Sequence, residues 1–292
     1  MKDEVKIEYG QSARLSYNSY LRVPDLIALQ DLQSSPAHHD ELLFITIHQT
    51  YELWFKQILH EIDAATVFIN AGKLIAASRA LMRVIEIEKI LVAQIHVLET
   101  MTPVDFLGFR DALNPASGFQ SMQFREIEFA SGMKDTRTIE SFSEDAFARE
   151  RLQKRYDDES LSDAFYRAMR GAGFDVEVAD EDISIERKQE DYERRVRANV
   201  RLQSEYEKHP ALFSLAEMLI AHDEQIVLWR VHHVAMVERM LGTKQGTGGS
   251  EGVAYLQSTL KKKIFPEMWE ARTHLDSNSQ PSTHDAHGCP FA

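Results

Sequence analysis

The sequence predicts an all-α fold, a helical bundle with a small helical insert, on three observations. Apolar residues recur at helical spacing over long stretches, the connections between those stretches are short, and strand signals are nearly missing. There is no run of alternating β-branched residues, no Asn-Gly hairpin and no repeat of fixed period. At 292 residues the chain is read as a single domain, 1–292, with ample length for a sizeable core.

Residues 1–14 are polar. The stretch Ser16-Tyr17-Asn-Ser-Tyr20 leads to Val23-Pro24-Asp25 and a short helix expected near 24–32, because proline fits a first helical turn. Ser34-Ser-Pro-Ala-His38-His39 reads as a loop, and adjacent loop histidines do not supply the three or four converging ligands of a metal site. Asp40 is the expected N-cap of a long helix running to about Asn70, with Gly72 as its stop. A second long helix is expected from Leu74 to Thr100. Its stripe of Leu81, Val84, Ile85, Leu91, Val92 and Ile95 is interrupted by Glu88. Thr102-Pro103 breaks it, a short helix Val104–Leu113 follows, and the loop Asn114-Pro-Ala-Ser117-Gly118-Phe119 leads to a helix through Gln123–Phe129. Residues 134–209 form a charge-rich helical insert, anchored by Phe165, Tyr166, Phe174, Tyr192 and Val196. A third long helix covers Pro210–Leu241 and ends at Gly242. After a glycine-rich segment, a helix is expected over Val253–Lys262, and Ile264-Phe-Pro266 closes the body. The Ser/His/Pro-rich tail 276–292 is expected to be mobile.

Composition excludes several functions. A net charge of −13 argues against nucleic-acid binding, which needs a basic surface. The basic runs Arg149–Arg155 and Lys261-Lys-Lys263 sit among acidic residues and read as solvated faces. With Cys289 as the single cysteine, an internal disulfide, a Cys-x-x-Cys zinc site and a covalent Cys-x-x-Cys-His heme attachment are all excluded. No stretch approaches the ~20 apolar residues of a membrane span, and the start lacks the apolar core of a secretory signal. A cytoplasmic protein that does not contact membrane is expected.

Four segments could carry chemistry. In the first long helix, His48 is the histidine on the apolar face, with Phe44 one turn before it and Tyr51 and Phe55 at +3 and +7. An imidazole among aromatic rings either bonds to a neighbour or lines a pocket, and periodicity leaves both open. In the late helix, His233 shares a face with Ile226, Trp229, Met236, Val237 and Met240, whereas His232 aligns with Gln225 and Arg239, so His233 is read as the buried one. It is either a hydrogen-bonded core histidine or an axial donor to heme. Arg110 follows Gly108-Phe109 on a short aromatic helix and either clamps a carboxylate or forms an internal ion pair. Gly246-Thr247-Gly-Gly249 lacks the Lys-Ser/Thr ending of a P-loop and is a hinge or a binding loop in which Thr247 offers a hydroxyl.

Other patterns carry less. Gly248-Gly-Ser250-Glu-Gly252 matches a nucleophile elbow formally, but a helix and loop precede it where an elbow needs a strand. Cys289-Pro290 is a dipeptide sometimes linked to heme sensing, here in the tail.

Several runs in the same order resemble the tryptophan 2,3-dioxygenase family. They are Tyr17-Asn-Ser-Tyr20-Leu, His39-Asp-Glu-Leu-Leu-Phe-Ile-x-x-His48-Gln, Tyr51-Glu-Leu-Trp-Phe-Lys56, Leu98-Glu-Thr-Met-Thr-Pro103, Gly108-Phe-Arg-Asp-Ala-Leu-Asn-Pro-Ala-Ser-Gly-Phe-Gln120, Leu228-Trp-Arg230, His233 and Gly246-Thr-Gly-Gly-Ser250. The resemblance spans roughly 16–272 and thins out within 134–209.

That resemblance implies non-covalent heme b bound between helices, with His233 as the axial iron ligand and O2 as co-substrate. It implies L-tryptophan as substrate and N-formyl-L-kynurenine as product, the first step of the kynurenine pathway. His48 would accept a hydrogen bond from the indole N–H. Phe44 and Phe106 would wall the indole, Arg110 would bind the carboxylate, and Thr247 would hold the ammonium or carboxylate end. Ser117 and Gly118 would approach the oxygen site, and Tyr17 and Tyr20 would complete a neighbouring subunit's pocket in a homotetramer. Phe106 stands where some members carry Tyr, which removes a hydroxyl from the pocket. The alternatives are a related heme-dependent aromatic monooxygenase, acting on tryptophan or a substituted tryptophan, and a non-catalytic heme-binding sensor.

Overall fold

A computed structural model describes residues 15–177, 184–242 and 253–275, and these are helical with no strand among them. The N-terminal segment holds two short helices, α1 (Tyr17–Leu21) and α2 (Val23–Leu26), in place of one helix over 24–32. Ser16 and Ser19 form a capping box at the start of α1, and Arg22 separates the two helices in the left-handed conformation, φ 52° and ψ 40°. Beyond Ala28 side-chain hydrogen bonds tie the segment to the next helix. Gln30 Nε2 donates to Gln49 Oε1 at 2.6 Å, and Gln49 Nε2 donates to the Leu29 carbonyl at 3.0 Å.

Helix α3 (Glu41–Asn70) begins where expected, but Asp40 makes no capping hydrogen bond. The buried carboxylate of Glu41 instead accepts from the backbone N–H groups of Gln33 (2.6 Å) and Ser34 (3.0 Å), which seats the preceding loop on the helix start. Gly72, at φ +70°, stops the helix as read from sequence. In α4 (Leu74–Leu98), Leu81, Val84, Ile85, Leu91 and Ile95 are buried as the stripe predicts, Val92 only partly so. Helix α5 (Pro103–Arg110) starts at a Thr102/Asp105 capping box and tightens into a 3-10 turn at Asp111–Leu113. Helix α6 (Met122–Ser131) is capped by Ser121.

The charge-rich segment folds as α7 (Thr136–Ser141), α8 (Ala146–Asp157), α9 (Leu161–Gly171) and α10 (Ile185–Ser204). Leu161, Phe165 and Tyr166 on α9 are fully buried and belong to the same core as α3 and α4. Phe174 and Val196 are buried too, while Tyr192 is half-buried and donates to Glu270 at 2.6 Å. The run Arg149–Arg155 is not simply a solvated face. Arg151 forks onto the buried Glu126 carboxylate at 2.7 and 3.0 Å, and Arg155 pairs with Asp63. Helix α11 (Pro210–Leu241) has the predicted bounds. The described residues close with α12 (Val253–Thr259), shorter than expected, α13 (Pro266–Ala271), which periodicity missed, and a 3-10 turn at Arg272–His274.

Helix α4 packs against both α3 and α11. The first half of α3, the end of α4, the second half of α11 and parts of α5, α6 and α12 together enclose one cavity. No helix among the described residues is long and apolar enough to cross a membrane.

Candidate active site

Helix α3 supplies the first wall. Helical spacing puts Phe44, His48, Tyr51, Glu52 and Phe55 on the cavity side. His48 Nδ1 lies 2.7 Å from the Phe44 carbonyl, which can only accept, so Nδ1 carries the proton and Nε2 keeps a lone pair. The ring is reachable from the cavity, yet the protein mass around it lowers its pKa. Burial is the main cause, opposed by the Phe44 hydrogen bond and the Glu52 charge. The result is a neutral acceptor. Phe44 stands 4.1 Å from the His48 ring and 5.7 Å from Phe106, and both phenylalanines meet the buried Phe109.

Helix α11 supplies the second wall. The His233 ring stacks on Trp229, one turn earlier, at 4.9 Å and 9°, and Trp229 in turn meets Phe124 at 4.9 Å. Burial, helped by the neighbouring His48, pushes the His233 pKa down to about 4, so this imidazole is neutral too. Among the described residues, no hydrogen-bond partner faces either of its ring nitrogens. A neutral imidazole with an uncommitted lone pair in an aromatic wall is the donor an iron porphyrin requires, so the site fits that cofactor. The cavity volume is about 280 Å³, at the low end of the ~300–1,000 Å³ of an ordinary small-molecule pocket, and it opens to solvent at its mouth.

The cavity gathers most of the sequence-predicted residues. Phe44, His48, Phe106, Arg110, Ser117, Gly118 and His233 all line it. Arg110 stands at the last turn of α5. Ser117 caps a 3-10 turn over Gly118–Gln120, and Ser121 and Gln123 bind the Glu52 carboxylate at 2.7 and 2.8 Å, tying that loop to α3. Tyr17 and Tyr20 are 75% and 70% exposed on α1 and do not line this chain's own cavity. Thr247, with the Gly246–Ser250 loop, lies outside the described residues, as do Cys289 and the tail 276–292. His232 is no more exposed in class than His233, and packs edge-on against His96 at 5.4 Å.

Sequence reasoning missed three sets of residues. Arg125 and Glu128 of α6 line the cavity, because that helix presents its charged residues inward. Tyr255, Leu256 and Thr259 of α12 also line it. Two α11 side chains hold the segment after α12. Arg230 Nη1 donates to the Lys262 carbonyl at 2.9 Å, and Asp223 accepts from Ile264 N (3.0 Å), Phe265 N (3.0 Å) and Trp269 Nε1 (2.9 Å).

A second constellation lies outside the cavity. Ser131 Oγ is 3.0 Å from His222 Nε2, and His222 Nδ1 is 2.8 Å from Glu88 Oε1. The order hydroxyl–imidazole–carboxylate matches a hydrolase triad, but all three residues are 0–1% exposed, so no substrate reaches the hydroxyl. The three cross-link α6, α11 and α4. This pairing also explains Glu88, the residue that interrupts the apolar stripe of α4.

The tryptophan 2,3-dioxygenase family model matches residues 3–180 and 174–275. Proteins named tryptophan 2,3-dioxygenase are similar along nearly their whole length. One from Nocardioides sp. is 47% identical, covering 92% of this chain and 98% of its own. One from Herpetosiphon aurantiacus is 44% identical, covering 90% and 100%, and one from Myxococcus xanthus is 37% identical, covering 90% and 91%.

Proposed function

The chain belongs to the tryptophan 2,3-dioxygenase family, and from that premise we propose how its cavity serves the reaction. The enzyme opens the indole C2–C3 bond of L-tryptophan with O2 to give N-formyl-L-kynurenine. One observation carries the assignment of the site: two neutral imidazoles, His48 and His233, face one aromatic cavity from different helices.

His233 would hold non-covalent heme b through its uncommitted ring nitrogen. When bound, that group supplies the oxygen activation, and the protein supplies orientation and polarity. Ser117 and Gly118, on the cavity loop, would border the oxygen site.

His48 Nε2 accepts the indole N–H. Neutral imidazole is too weak a base to remove that proton from the resting indole, so it positions the ring and relieves charge as the N–H acidifies. Phe44 and Phe106 wall the indole on its faces and edge. The Phe106 ring offers no hydroxyl, so recognition of the amino-acid end falls to Arg110, whose fork matches a carboxylate, and to Thr247. A substrate read at both ends separates tryptophan from plain indole.

Tyr17 and Tyr20, exposed on α1, would complete the cavity of a neighbouring copy, and the assembly implied by the family resemblance is a homotetramer. Within each copy the segment 134–209 would act as part of one domain, since α9 shares the core of α3. The enzyme would work in the cytoplasm.

The test is to supply hemin during expression, reduce the protein, add tryptophan and O2, and weigh the product. A gain of two oxygen atoms is expected. A gain of one, or unchanged tryptophan with hemin bound, overturns the proposal.

A further inference from the structure

The cavity wall is not electrically balanced. Its cationic side chains are Arg110, Arg125, Arg230 and Lys262, against the carboxylates of Glu52 and Glu128. Glu52 is engaged by Ser121 and Gln123, which are neutral donors. Glu128 is shared: Oε1 accepts from Arg230 Nη2 at 2.8 Å, and Oε2 accepts from Arg125 Nη1 at 2.7 Å. Two guanidinium groups therefore divide one carboxylate in a poorly solvated place, with side-chain exposures of 18% for Arg125, 4% for Arg230 and 10% for Glu128. A buried cluster with one positive charge in excess favours an anionic guest.

The two arginines differ in what they have left to give. Arg230 is buried and uses Nη2 on Glu128 and Nη1 on the Lys262 carbonyl. Its role is structural. Arg125 uses only Nη1, and among the described residues its Nε and Nη2 have no acceptor. Those N–H groups are not sealed in protein, since the side chain lines the cavity. Position agrees with this. The Arg125 guanidinium lies 5.5 Å from the Phe124 ring, Phe124 lies 4.9 Å from Trp229, and Trp229 stacks on His233. The free donors thus belong to the wall that carries His233, on a different helix from Arg110.

We propose that Arg125, oriented by Glu128, binds a carboxylate side chain of the porphyrin. The inference rests on the heme reading above. It separates the two acid-reading arginines by role, Arg110 for the amino acid and Arg125 for the cofactor. Glu128 is a positioning residue: it turns the guanidinium so that its second edge faces the cavity, and Arg230 steadies Glu128 from behind.

The test compares hemin with hemin dimethyl ester, whose carboxylates are masked. Each is loaded into wild type, Arg125→Gln and Arg125→Lys, and its release to excess apomyoglobin is followed at the Soret band, without turnover. Loss of a charge-assisted hydrogen bond predicts hemin release roughly 10- to 100-fold faster from Arg125→Gln. Arg125→Lys should fall between, since it keeps the charge and loses the fork. The ester should leave wild type and Arg125→Gln at equal rates. Hemin release at the wild-type rate from both variants overturns the assignment, as does an acceleration that persists undiminished with the ester, which marks a packing role. A wild-type protein that takes up neither porphyrin overturns the heme reading and this assignment with it, and that outcome is visible before any variant is made.

Discussion

His48 Nδ1 hydrogen-bonds the carbonyl of Phe44, 2.7 Å away and one turn earlier on α3, and this bond decides which nitrogen faces the cavity as an acceptor. His48→Phe keeps a ring there but removes the lone pair. Loss of one neutral hydrogen bond, about 0.5–1.5 kcal/mol, should weaken tryptophan binding roughly 2- to 10-fold, with heme retained. Tryptophan titration of the Soret band checks it, and unchanged affinity removes His48 from the substrate.

The same imidazole sets a pH limit. Because burial lowers its pKa below the ordinary histidine value, His48 stays neutral, and an acceptor, somewhat into the acid range. Tryptophan affinity should hold steady as pH falls through the ordinary imidazole range and decline only below it. A decline already centred at the ordinary value, and equally present in His48→Phe, contradicts that.

Arg110 is expected to carry the carboxylate end. Arg110→Ala should cost roughly 10- to 100-fold in tryptophan affinity, the worth of a charge-assisted fork, while indole affinity and hemin uptake are unchanged. Equal losses for indole and tryptophan point to a collapsed pocket instead.

The sealed Glu88–His222 pair governs stability and not chemistry. Burial works against the His222 charge, but the Glu88 charge and hydrogen bond outweigh it, so the folded pKa is raised. A raised pKa gives stability that is complete below the unfolded value and is lost as pH rises through the folded one. Wild-type stability in urea should therefore fall on the alkaline side of the ordinary histidine value, and His222→Leu should lose that slope. His222→Leu alone leaves Glu88 unpaired in the core and should cost about 3–5 kcal/mol, whereas adding Glu88→Leu should recover much of it. A double variant as unstable as the single one rejects the pairing.

At Gly132 the backbone adopts φ +129°, and an added Cβ would lie 2.7 Å from Ser162 Cβ on α9. Gly132→Ala should destabilise the fold by roughly 1–3 kcal/mol, through strain and forced separation of α6 from α9. Thermal unfolding reads it, and an unchanged midpoint denies the close approach.

Much of the fold was legible along the chain because helices announce themselves locally. Spacing alone places the buried faces of α3, α4 and α11, Gly72 and Gly242 mark two ends, and the bounds of α11 agree with the structure. Short elements were less legible. The segment 24–32 has too few apolar repeats to show that its helix stops at Leu26, and α13 is a single turn and a half whose Met268 and Ala271 are buried in a helix packed on α10. Family likeness pointed to His48, His233 and Arg110, but periodicity could not choose between core and pocket for any of them.

Only the tertiary structure decided which polar residues meet. That the α3 and α11 imidazoles share one cavity follows from both helices packing on α4, a long-range relation that no local pattern encodes. Glu88 reads as a flaw in a stripe until His222 is brought to it from 134 positions away. Nothing along the chain marks Arg125 and Glu128 as partners of Arg230, which reaches Glu128 from α11. The reason is physical: periodicity reports which face of a helix avoids water, while the partner of a buried charge is chosen by packing between helices distant in the chain.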